Sequence, residues 1–269
     1  MPRVTVISPK LSLPRYLSDL CAYAELLVFL AGRDLAVRYK QTVAGILWAV
    51  LVPLLTVVAL SFVFGRVAKL HDSTFLLVYA GMIPWQFFST ALQTGGTSLL
   101  NNTPLVTKLY FPRLILPLSS LGVAFVDLAL NVLILLGLLP FFGEPFSPRL
   151  LSLPLWVLLG FYVSIGPTLI VASALVRYRD LRFLLPFVVQ FGLFVTPVGY
   201  VASVVPAALR PIFNLNPLVG VIDGMRWAIA HASPFPTASL GLCLLVSTLL
   251  FLLGGALFLG AEKTMADEI

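Results

Sequence analysis

Asp127 is an acid inside an apolar run, and Asn131 follows it one helical turn later on the same side. An ionisable side chain in hydrocarbon is costly, so it marks a polar substrate contact, a proton site or a hydrogen bond to a neighbouring helix. No second acid or histidine stands near it in an apolar run. That favours the hydrogen bond and argues against proton coupling.

Phe183, Phe187, Phe191 and Phe194 recur at steps of four, four and three, which sets them on one helical face with Gln190 beside it. On a pore-lining helix these rings would give sugar rings flat surfaces to slide over, because stacking needs no fixed hydrogen-bond geometry. On a lipid-facing helix the same stripe is ordinary apolar surface. Trp48, Trp85, Phe87, Phe88 and Trp227 also fit an aromatic belt at the membrane interface.

Other chemistries lack their residues. No G-x-x-x-x-G-K-[ST] phosphate loop occurs. A nucleotide-driven process would need a second polypeptide, and the chain is not expected to be an enzyme. Paired catalytic carboxylates are missing: Asp19, Glu25, Asp34, Asp72, Glu144, Asp180 and Asp223 all read as loop or interface positions. His71 and His231 are isolated and Cys21 lies far from Cys243, so neither a metal site nor a disulfide framework is expected.

The composition decides what must hold these groups. Of 269 residues, 59% are hydrophobic and 10% charged, with a mean hydropathy of +1.03. A soluble domain carries about 25% charged residues, so lipid must surround most of this chain. A crossing takes roughly 20 apolar residues, and the runs 43–65, 75–98, 114–140, 153–176, 183–201 and 237–261 predict six. Pro53, Pro84 and Pro197 are compatible with spans where neighbouring helices re-satisfy freed carbonyls. The expected fold is an all-α membrane protein: an N-terminal segment over 1–42, then one membrane domain over 43–269.

Arg15, Asp19, Arg33, Arg38 and Lys40 fall largely off a stripe of Leu17, Leu20, Cys21, Ala24, Leu27, Val28, Ala31 and Leu35. This pattern predicts an amphipathic interface helix over 15–40. Asp19 and Glu25 argue against a cleaved secretion signal. With six crossings, 12 of the 17 Lys and Arg residues fall on the side of both termini, which predicts cytoplasmic termini. The net charge of +6 is thereby explained by topology, not by nucleic acid. Between the fifth and sixth runs, 202–236 combines several prolines with apolar stretches too short to cross. A re-entrant pair of short helices is expected there.

Two of the cytoplasmic segments look like contact surfaces. Asn101–Arg113 carries Lys108, Tyr110, Phe111 and Arg113 without an acid, and Arg177–Arg182 carries Arg179 and Asp180. Positive-inside anchoring explains their charge but leaves the aromatics Tyr110 and Phe111 unexplained.

Several strings occur in series: Arg33-Asp34-Leu35 to Arg38-Tyr39-Lys40, Gly45-Ile46-Leu47-Trp48-Ala49 with Pro53, and Gly81-Met82-Ile83-Pro84-Trp85-Gln86-Phe87-Phe88. Tyr178-Arg179-Asp180-Leu181, Thr196-Pro197-Val198 and Asn216-Pro217-Leu218 follow. Over nearly the whole chain their order and spacing resemble the membrane subunit of ABC exporters for lipid-linked polysaccharides, the O-antigen, capsule and teichoic-acid permeases. The resemblance implies a homodimer in the bacterial inner membrane with two separate ATP-binding subunits, which carry the ATP and Mg. It implies a substrate polymer on a polyprenyl diphosphate. The first and fifth spans would line the channel, giving Phe183, Phe187, Phe191, Phe194, Gln190 and Trp48 a sugar-stacking role. Arg33, Arg38 and Lys40 become candidates for the diphosphate head group. Lys108, Tyr110, Phe111, Arg113, Arg179 and Asp180 become candidates for ATPase contact. Asn216, Pro217 and Trp227 fall in the gate segment, about 205–232. A related ABC exporter of drugs or lipids, or more distantly an ion-driven transporter, remains the alternative.

Overall fold

The computed structural model describes residues 13–40, 45–67, 74–200, 205–206, 208–229, 235–262 and 264–265. Among them there are helices and turns and no strand. Helix α1 (Leu13–Ala22) and helix α2 (Ala24–Lys40) meet at a turn on Tyr23, and α3 (Gly45–Val67) follows. Helix α4 (Thr74–Thr90) passes through a π-helical turn at Ala91–Gly95 directly into α5 (Gly96–Asn101). The short α6 (Thr103–Lys108) leads to α7 (Ile115–Leu138), and α8 (Leu153–Arg177) and α9 (Leu181–Val195) come next. The chain then forms α10 (Arg210–Phe213), α11 (Pro217–Ile229) and α12 (Thr237–Ala261).

Four continuous stretches among the described residues are long and apolar enough to cross a membrane: Phe75–Asn101, Ile115–Phe142, Pro148–Arg177 and Thr237–Ala261. Two apolar helical stretches are shorter, Val50–Phe62 in α3 and Leu181–Val195. The fifth predicted span, 183–201, thus has a helix that stops at Val195. Pro197 explains this: its ring drives the preceding residue out of the helical region, and Thr196 is extended at φ −88°, ψ 139°. At 13 residues, α11 is about 20 Å long, less than the roughly 30 Å of a hydrocarbon core.

The long helices approach closely where small residues allow it. A Cβ added to Gly254 would lie 2.4 Å from the Gly166 carbonyl oxygen, and one on Gly166 would lie 2.5 Å from the Leu250 backbone. Helices α8 and α12 therefore touch backbone to backbone, the arrangement that dispersion and short contacts favour where lipid supplies no hydrophobic drive. Around that crossing one apolar core joins α4, α7, α8 and α11 through Tyr79, Trp156, Leu121, Leu135 and Ile222. A second cluster gathers Leu30, Leu99, Val106, Phe111, Ile115, Val176 and Phe258 at the end where α2, α5, α6 and α12 converge.

The N-terminal helices differ from the expected single amphipathic helix. Leu20, Tyr23, Leu26, Leu27 and Leu30 pack into the second cluster, whereas Leu17 and Val28 of the predicted stripe are exposed. The turn at Tyr23 rotates the buried side, and that turn follows from long-range packing that local periodicity does not encode.

Candidate functional site

Helix α2 lies alongside α7. A Cβ on Gly122 would rest 3.7 Å from Ala31 Cβ, and further along both helices Arg38 meets Asp127. Arg38 Nη2 is 2.6 Å from Asp127 Oδ2, and the Tyr39 hydroxyl donates to Asp127 Oδ1. One turn on, Asn131 Nδ2 donates to the Asp127 carbonyl over 2.8 Å, and the Tyr79 hydroxyl donates to Asn131 Oδ1 over 3.0 Å. The lone intramembrane acid of the sequence is thus a hydrogen-bonded ion pair linking two helices, with a polar extension into α4. Arg38 is more exposed than its partner, with side-chain accessibilities of 39% and 11%.

Beside this pair a polar pocket of 410 Å3 opens between α2, the π turn with α5, and α7. Arg33, Asp34 and Arg38 form one wall, with Gln93, Thr94, Thr97, Ser98, Asn101 and Asn102 opposite. Arg33 is bonded to Asp34 at 2.7 Å and donates to Asn102 Oδ1 over 3.0 Å. Two of the three predicted head-group cations therefore share one cavity. Lys40 ends α2, and its side chain lies outside the described ones. The formal charges balance, Arg33 and Arg38 against Asp34 and Asp127. Both arginines are partly solvated, and each guanidinium has five donors in a fork suited to phosphate.

The aromatic stripe is where its spacing predicts. Phe183, Phe187, Phe191 and Phe194 are all exposed on one side of α9, with Gln190 among them, while Leu185 and Val189 are buried on the other side. Trp48 is likewise exposed on α3.

The segment after α9 is tied down by polar groups. Asn216 Nδ2 donates to Thr196 Oγ1 over 2.9 Å, and its Oδ1 accepts from the Leu218 amide over 3.1 Å. Pro217 occupies the first position of α11, where a missing N–H costs nothing. Trp227 packs edge-on against Trp156 and Phe235, with the Arg149 guanidinium 5.1 Å from its ring. Arg226 is buried and donates to three carbonyls: Leu77 at 3.0 Å, Tyr200 at 2.9 Å and Val198 at 2.8 Å. Asp223, read from sequence as a loop or interface acid, is instead half-buried on the same helix. From sequence alone Arg226 reads only as one of the basic residues on the side opposite the termini. Its place between Asp223 and the apolar positions of a helical pattern was the available signal.

At the opposite end the two contact segments divide. Lys108 and Tyr110 are exposed, but Phe111 is buried in the second cluster. The expectation of two exposed aromatics is corrected: Phe111 supports the loop from beneath. Arg113 is engaged within the chain. Its amide donates to Glu262 Oε1 over 2.8 Å and its guanidinium to the Glu262 carbonyl. Burial pushes the Glu262 carboxyl above its ordinary range, against the lowering effect of Arg113. Burial and the nearby Glu262 charge push the Tyr16 hydroxyl up as well. Arg179 and Asp180 line a cleft of 830 Å3 with Arg177, Tyr178 and Leu184.

Sequence reasoning passed over Gln93, Thr94 and Thr97. The signal was present: Gln93, Thr97 and Asn101 repeat at steps of four near the end of an apolar run.

The family model described as ABC-2 type transporter matches residues 25–230. The O-antigen export system permease protein of Myxococcus xanthus is 27% identical over 259 residues, covering 95% of this chain and 99% of that protein. A protein of the same description from Klebsiella pneumoniae is 26% identical over 204 residues, covering 75% of this chain and 79% of its own length.

Proposed function

Since the chain belongs to the ABC-2 type transporter family, we propose that it is the membrane subunit of an ATP-driven exporter for polysaccharide carried on a polyprenyl diphosphate. Two copies and two separate ATP-binding subunits form the working assembly in a bacterial cytoplasmic membrane. Each copy crosses six times with both termini in the cytoplasm, and ATP and its magnesium belong to the partner.

The observation that carries this reading is the pocket holding Arg33 and Arg38 beside the membrane helices. The names of the relatives point the same way. The diphosphate docks on the guanidinium groups of Arg33 and Arg38, whose ion pairs with Asp34 and Asp127 are partly exposed and therefore weak. The glycan then follows the exposed rings of α9, together with Trp48 of α3. Helices α10 and α11 form a re-entrant gate at the far end. The ATP-binding subunit docks on α1, α2, the Lys108–Tyr110 loop and the cleft beside Arg179 and Asp180.

Reconstitution with the co-purifying ATPase tests the reading. Polyprenyl-diphosphate-linked glycan should stimulate ATP hydrolysis and cross the bilayer in an ATP-dependent manner. Transport by the chain alone under an ion gradient would overturn it, as would stimulation by drugs or simple lipids but not by glycan.

A further inference from the structure

We propose that the Gln93–Thr97–Asn101 wall of the polar pocket recognises the sugar joined directly to the diphosphate, and so makes the pocket selective for a glycosylated lipid. The inference rests on the export reading above and assigns a separate task to a different set of side chains.

The first argument is charge. Arg33 and Arg38 are matched by Asp34 and Asp127, so the formal charge of that wall balances and charge alone does not set what the pocket holds. The facing wall is polar and uncharged, as sugar hydroxyls require.

The second argument is geometry. Steps of four set Gln93, Thr97 and Asn101 on one face, over about 12 Å of helix. The Thr97 hydroxyl donates to the Gln93 carbonyl over 2.6 Å and accepts from Asn101 Nδ2 over 3.2 Å. Gln93 Nε2 donates to the Ser89 carbonyl over 3.3 Å. Each carboxamide is oriented through its nitrogen, and among the described residues neither carboxamide oxygen takes a hydrogen bond. Two fixed acceptors and two remaining N–H donors can thus meet a ring that has both hydroxyl hydrogens and lone pairs.

The third argument is placement. Polar side chains on a membrane helix face the protein interior or a water-filled cavity, and these line a cavity of 410 Å3. That volume lies within the roughly 300–1,000 Å3 of small-molecule sites. Asn102 joins the two walls by accepting from Arg33, so a sugar on this wall adjoins a diphosphate on the arginines.

The experiment uses the exporter with its ATPase partner in nanodiscs and two probes: a bare polyprenyl diphosphate and the same lipid bearing one hexose. The native protein should bind the hexose-bearing probe roughly tenfold more tightly, the effect of one or two net hydrogen bonds. Thr97→Val and Asn101→Leu should reduce that preference to within about twofold while leaving affinity for the bare lipid unchanged. Thr97→Ser keeps the hydroxyl and should retain the preference, which separates recognition from a folding defect. Equal binding of both probes by the native protein, or an undiminished preference in Thr97→Val, overturns this inference and leaves the export reading standing. Binding of neither probe overturns the export reading itself.

Discussion

Arg38 Nη2 and Asp127 Oδ2 stand 2.6 Å apart, joining α2 to the middle of α7. Tyr39 donates to the same carboxylate, so one acid anchors two successive residues. Arg38→Ala and Asp127→Ala should each lower the thermal stability of the detergent-solubilised protein, Asp127→Ala by more because it removes the acceptor shared by Arg38 and Tyr39. The Arg38 side chain is 39% exposed, so solvent screens the pair and the coupling in a double-mutant cycle should be about 1 kcal/mol. Strictly additive losses would show that α2 is held by its apolar contacts alone.

Lys108 and Arg113 are equivalent in sequence as basic residues of one segment, yet Lys108 is exposed and Arg113 is bonded to Glu262. Lys108→Glu should weaken co-purification of the ATPase by several-fold with the chain's own melting temperature unchanged. Arg113→Glu should lower that melting temperature, because it sets a second carboxylate against Glu262. Co-purification that is unaffected by Lys108→Glu would return this loop to a purely topological role.

Replacing Phe187, Phe191 and Phe194 together with Ala should reduce polymer export at least tenfold. Assembly with the ATPase should persist, because these rings are exposed and contribute little to the core. The decisive comparison is surface polymer against purified complex from the same cells. Full export with a well-expressed triple variant would make the stripe a lipid-facing surface.

Glu262 gives a pH dependence of defined sign. Its pKa is raised in the folded chain by burial, so the native state binds its proton more readily than the unfolded state. Its contribution is complete below the ordinary value of 4.5 and is lost as pH rises through the higher native value. Arg113 and Tyr16 are the groups facing it. Thermal unfolding of the native protein should fall in midpoint across that window. Glu262→Gln stays neutral and should flatten the dependence; an unchanged slope would assign it to other groups.

The sequence yields these features unequally for physical reasons. Apolar run length locates the long helices, because lipid imposes it directly. Pro197 marks where α9 ends through local sterics, although the run continues beyond it. The aromatic stripe on α9 is visible as spacing. The partner of Asp127 is not, since Arg38 and Tyr39 come from a helix distant in sequence. Phe111 and Arg113 read as surface residues because only the tertiary fold brings the second cluster and Glu262 against them. The pocket wall of Gln93, Thr97 and Asn101 escapes notice for the opposite reason: neutral polar residues near a span end look like ordinary boundary composition until α2 closes a cavity over them.

Arg226 also restricts how the molecule can move. One guanidinium holds the carbonyls of Leu77, Val198 and Tyr200, and a buried acceptor abandoned without water is costly. The beginning of α4, the stretch after α9 and α11 are therefore tied to one another through this side chain. Any displacement at that end that keeps these bonds is the swing of a three-part block, not of α11 alone. Its hinges must lie outside the reach of that one side chain.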